Sequence, residues 1–130
     1  MTVRSIALAL FLGILPAAAM AQLDSPNRKE LKRVDLTGAP GMEVVNSTTE
    51  YMPGDEIKLH IHHGVESGFV LQGSMVQAAG KDPMPLPTGA AIMNLRDVPH
   101  GGFKVVGDKP LILFTVHIVD KGKPLYDAPK

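Results

Sequence analysis

From Val34 onward, apolar residues come in short blocks separated by Gly, Pro, Asn and Asp at intervals of about ten residues, the rhythm of an all-β sandwich or barrel. No segment carries a convincing helical period. The blocks predict strands over 34–37, 43–52, 56–63, 68–72, 74–79, 90–94, 103–106 and 110–119. The last block, PLILFTVHIVD, is apolar on both alternating faces and is expected to be covered on both sides. Residues 22–33 are polar, with Pro26 and the charged run RKELKR, and read as an extended arm or a short helix. Residues 121–130 read as a C-terminal tail. With no internal repeat and room for one modest core, 34–120 is expected to be a single domain.

The first segment has a different pattern. Arg4 precedes the ten-residue apolar run IALALFLGIL, Pro16 breaks it, and Ala19-Met20-Ala21 offers small residues at the two recognition positions of a cleavage site. Residues 1–21 therefore read as a bacterial secretory signal peptide, cleaved after Ala21 to leave a periplasmic or secreted chain. The run falls short of the roughly 20 apolar residues that span a bilayer, and no second run of that kind follows, so no membrane anchor is expected after cleavage. Export permits disulfides, yet the chain has no cysteine. Packing, a metal or oligomerisation must supply the stability that a covalent staple would give.

Charge narrows the partners. Thirteen Lys and Arg balance thirteen Asp and Glu, for a formal net charge of +0, and no basic stripe suggests nucleic acid. Small molecules or other proteins remain.

The candidate chemistry sits in HIHHGVESG, residues 60–68, which holds three of the five histidines. On a β-strand, residues two apart share a face about 6.5 to 7 Å apart, so His60 and His62 can converge on one ion at roughly 2.1 Å bond length. Gly64 allows a tight turn, and Glu66 then offers a carboxylate from the start of the neighbouring antiparallel strand. A fourth ligand must come from elsewhere. The longer stretch GDEIKLHIHHGVESGFVLQG, Gly54 to Gly73, matches the first cupin motif, G-x5-H-x-H-x3-E-x6-G, at every fixed position. The second motif, G-x5-P-x-G-x2-H-x3-N, aligns in part. Gly89 and His100 keep its separation, while Leu95, Asp97 and Lys104 stand where it has Pro, Gly and Asn.

The chain from Val34 to Val119 thus resembles a small single-domain cupin, with a jelly-roll barrel, or double-stranded β-helix. The resemblance implies His100 as the third imidazole beside His60, His62 and Glu66, around a divalent Fe, Mn, Ni, Zn or Cu ion with a position open to water, substrate or dioxygen. Ligand type alone does not choose among these metals.

Alternation along 56–63 gives an opposing reading. Ile57, Leu59 and Ile61 alternate with Lys58, His60 and His62, so an isolated H-x-H would turn its histidines to water. The spaced glycines and glutamate argue for the inward orientation. The aliphatic trio then faces outward and needs cover, which predicts a homodimer, with strand 43–52 a candidate to pair across its interface.

Other residues carry weaker signals. His63 is out of register with its neighbours and reads as a rim residue, and His117 as a core or interface histidine. Phe69, Met75, Met84, Met93 and Phe103 are candidates for an apolar pocket or for core. Gln72 and Gln77 would orient a ligand or face outward, and Arg96 would meet a carboxylate substrate or pair with Asp97 on the surface. No Ser-His-Asp arrangement, phosphate loop or paired-carboxylate site stands out.

Three functions stay open: a metal-dependent enzyme, of oxygenase or isomerase type, on a small organic molecule; a module that binds a small ligand or metal without turnover; and an exported protein whose metal only stabilises the fold, which predicts a closed coordination sphere.

Overall fold

The computed structural model describes residues 23–130, so the expected signal peptide and Gln22 lie outside the described residues. Nine strands follow: β1 (Arg28–Asp35), β2 (Met42–Tyr51), β3 (Glu56–Ile57), β4 (Gly64–Gln72), β5 (Ser74–Ala78), β6 (Met84–Leu86), β7 (Ala91–Asn94), β8 (Phe103–Val105) and β9 (Leu111–Asp120). No helix occurs among the described residues. The strands form two antiparallel sheets, β1-β2-β9-β4-β7 and β3-β8-β5-β6. Their inner faces enclose one interior, an all-β jelly roll.

One end of that interior is packed with Tyr51, Ile57, Val70, Val76, Val105 and Leu111, with Phe103 and Leu113 against them. The other end holds the polar residues. Across the five-stranded sheet, Val45, His117, Glu66 and Asn94 stand opposite one another on β2, β9, β4 and β7. Antiparallel partners project to the same side, so β9, paired on both edges, presents His117 beside Glu66.

Several expectations need correction. Of the two readings of the polar segment before Val34, the short helix is not seen: Arg28–Asp35 is extended and pairs with β2 as an edge strand. Its charges find partners, Arg28 reaching Ser47 Oγ at 3.0 Å and Arg33 meeting Glu30 and Glu43, and a charged edge strand resists pairing with other chains. Strand β2 has both edges filled, by β1 and β9, so it has no free edge with which to pair across a dimer interface. Residues 84–86, outside the expected strands, form β6 against β5.

The strand expected over 56–63 leaves its ladder after Ile57. Ile57 pairs with Phe103, and the next bridge is His60 to His100, three residues on. Between them Gly101 and Gly102 adopt φ of 86° and 73°, a left-handed backbone that glycine accepts without strain. The period of two is broken there, so Ile57 and His60 both turn inward. Ile61 is buried beneath a bridge to Asp127, and of the aliphatic trio only Leu59, half exposed, faces out. The argument that the trio needs a partner therefore lapses. Exposed apolar side chains include Val34, Phe69 and Met93 on the outer face of the five-stranded sheet and Met75 and Met84 on the four-stranded sheet.

Candidate metal centre

His60 and His62 come from the irregular segment after β3, Glu66 from β4, and His100 from the loop before β8. The two backbones meet where His60 and His100 exchange N–H···O bonds of 3.0 Å in both directions. A side chain at Gly101 would place its Cβ 2.6 Å from the Lys58 carbonyl oxygen, so glycine there permits the close approach. Gly64 serves differently from the tight turn expected of it. It begins β4, where a Cβ would lie 2.0 Å from the Ile118 carbonyl oxygen, and it lets β4 lie flush on β9.

The three rings are oriented by main-chain carbonyls. His60 Nδ1 lies 2.7 Å from Lys58 O, His62 Nδ1 2.6 Å from Leu125 O, and His100 Nδ1 2.9 Å from Val98 O. A carbonyl only accepts, so each Nδ1 carries the proton and each neutral ring presents its lone pair at Nε2. Of these, the Nε2 atoms of His62 and His100 are buried without a hydrogen-bond partner. They lie 3.3 and 3.4 Å from Glu66 Oε2. Acceptors facing an anionic acceptor repel unless a cation or proton lies between them.

Glu66 is itself held by Asn94, whose Nδ2 donates to Oε2 at 2.6 Å. Burial pushes the Glu66 carboxyl up, but the His100 and His62 rings outweigh it and hold the group well below the usual carboxylate range. Burial lowers His60 to about 4. At His100 burial acts downward, yet Glu66 and the Val98 carbonyl prevail and raise it. A buried carboxylate among imidazoles with pinned tautomers is a donor set for a divalent transition ion.

Two further elements complete the site. His117, fully buried, places Nε2 3.4 Å from Glu66 Oε1, and burial lowers it to about 4. The C-terminal tail closes over the site: the Tyr126 ring lies 4.8 Å from those of His60, tilted, and His62, edge-on, and Arg28 lies 5.9 Å over the Tyr126 ring. Asp127 reaches His63 at 3.0 Å, which places His63 at the rim between Asp127 and Asp97.

An apolar cavity of about 270 Å³ opens beside the donors, lined by His60, Glu66, Asn94 and His100 and walled by Ile57, Leu86, Ile92, Phe103 and Leu113. Larger clefts of about 300 and 380 Å³ elsewhere contain none of the histidines. Of the pocket candidates, the structure brings only Phe103 to this cavity. Phe69, Met75, Met84 and Met93 are exposed, because their positions on the strands point them away from the interior. Gln72 donates to Pro110 O and Gln77 to Lys81 O, and Arg96 forks onto Asp120 at 2.8 and 2.9 Å rather than pairing with Asp97.

The family profile for the cupin domain matches residues 47–117. The chain belongs to the cupin family. Solved structures share the fold, among them the following two. A protein with a double-stranded β-helix domain from Klebsiella pneumoniae is 17% identical, with a TM-score of 0.57 over 77% of this chain and 83% of that one. A Cupin 2 conserved barrel domain protein from Salinispora arenicola is 18% identical, with a TM-score of 0.52 over 93% of this chain and 90% of that one. No curated protein matches significantly. Within this cupin, the residues that sequence reasoning missed are Asn94, Leu125 and Tyr126. Asn94 stood in the imperfect second motif, six residues before His100, but nothing local marked the tail.

Proposed function

We propose that this cupin is an exported mononuclear metal protein that acts on a small organic molecule, with His60, His62, Glu66 and His100 holding the ion. The observation that carries the reading is that three of these donors also line an open cavity. A metal that served only the fold would be expected in a closed sphere. When bound, the ion supplies a Lewis acid or redox centre able to polarise a carbonyl or enol or to activate dioxygen.

The chain's own residues do the rest. Carbonyls of Lys58, Leu125 and Val98 aim the rings, and Asn94 fixes the carboxylate. Ile57, Ile92, Phe103 and Leu113 exclude water and select for an apolar body. Among the described residues neither Lys nor Arg lines the cavity, which argues against a polyanionic substrate. A volume at or below the lower end of the ligand-pocket range, roughly 300 Å³, argues for a small one. Export rests on residues 1–21 alone.

The second reading, a binder without turnover, is favoured by one feature. Apart from the donors, the only polar side chain that lines the cavity among the described residues is Asn94, and its Nδ2 is already engaged by Glu66. Metal analysis of protein purified without an affinity tag, followed by dioxygen uptake with small enols and diketones, separates the two. Uptake supports the enzyme; tight metal with ligand retained unchanged supports the binder; absence of bound metal removes both.

A further inference from the structure

His117 occupies the centre of β9, and neither of its ring nitrogens has a hydrogen-bond partner. In this it differs from His60, His62 and His100, each anchored through Nδ1 to a carbonyl. A neutral imidazole has one donor and one acceptor, and burying both unmet is unfavourable.

The groups around it are few. On its own sheet, Val45 and Glu66 flank it. Across the interior, the His62 ring lies at 4.5 Å and the Tyr126 ring at 5.8 Å. The 3.4 Å from His117 Nε2 to Glu66 Oε1 is longer than a well-formed hydrogen bond. Oε1 is also the carboxylate oxygen that His62, His100 and Asn94 do not face.

His62, Glu66 and His117 each bring a ligand atom to within 4.8 Å of the others, as do His60, His62 and His100, and the two triads share His62. We propose that His117 Nε2 is itself a donor of the metal centre, so that the ion draws on four imidazoles and one carboxylate. This rests on the metal-binding reading above. An interior ion beside Nε2 would satisfy a buried imidazole that, unlike His60, His62 and His100, has neither ring nitrogen engaged by a carbonyl, and so nitrogen-rich a set disfavours hard ions such as Mg²⁺ and Ca²⁺.

Affinity alone does not separate a ligand from a residue that merely supports Glu66, since either loss weakens binding by at least about tenfold. Counting bound imidazoles does. Full-length protein labelled with ¹⁵N-histidine is stripped with a chelator and loaded with Co(II). The hyperfine-shifted imidazole N–H resonances are then counted by NMR, in the wild type and in His117→Gln. Four in the wild type and three in the variant support the proposal. Three in the wild type overturn it while leaving the metal-binding reading intact, and a wild type that takes up no Co(II) overturns both. Should His117→Gln fail to fold, the wild-type count decides alone.

Discussion

The carbonyl oxygen of Leu125 lies 2.6 Å from Nδ1 of His62, a bond that spans 63 residues of chain. Through it the C-terminal tail sets the tautomer of a central metal-facing ring, and Tyr126 beside it fills the interior next to His60 and His62. Truncation after Pro124 is therefore expected to weaken Zn(II) or Co(II) binding by about 10- to 100-fold, as for the loss of other outer-shell partners. Calorimetric titration of the truncated chain checks this, and unchanged affinity would show that the tail is mere cover.

Asn94→Ala removes the donor at Glu66 Oε2. A loss of about tenfold or more in metal affinity is expected, with a smaller effect on thermal stability once metal is removed. Asn94→Asp should be worse than Ala at neutral pH, because it sets a second anion against the first. The order of the two affinities is the readout.

Gly64→Ala would drive a Cβ into the Ile118 carbonyl, 2.0 Å away, and toward Val119 Cα at 2.6 Å. Backbone cannot yield as a side chain tip can, so destabilisation of about 3 kcal/mol or more is expected. Denaturant unfolding of the chelator-treated protein measures it.

Acid should destabilise the metal-free protein. His60 and His117 titrate at about 4 when folded and near 6.5 when unfolded. Between these values the unfolded chain binds more protons, so stability falls as pH drops from about 6.5 to about 4. Glu66, held low in the fold, adds to the loss below about 4.5. His100, raised in the fold, opposes it, contributing stability that fades as pH climbs through its folded value. The two histidines outnumber the one, and melting temperatures in chelator should fall steadily from pH 7 to pH 4.5. Saturating metal should raise the neutral-pH value and steepen the fall, since protons compete for the same nitrogens.

Much of the fold lay open to reading because its signals are local. Short apolar blocks separated by turn residues at regular spacing mark an all-β chain. The first cupin motif likewise names three donors whose spacing is itself the geometry. Harder to read were elements whose reason is elsewhere in space. Arg28–Asp35 has no apolar alternation, and becomes a strand because the edge of β2 is there to pair with it. Ile57 and Ile61 follow the pattern of an outward face, yet both are buried: Gly101 and Gly102 reset the ladder after Ile57, and the C-terminal tail bridges Ile61 at Asp127.

By itself the sequence marked an all-β chain that resembles a cupin and named His60, His62 and Glu66 as donors, because the first motif's fixed spacing keeps those three side chains within a short stretch of chain. Only the tertiary structure decided what surrounds them. Pairing of β9 with β4 sets His117 beside Glu66, β7 brings Asn94 to the carboxylate, and the returning tail lays Leu125 and Tyr126 against His62. Contacts between residues tens of positions apart depend on strand order and register, which no local pattern encodes.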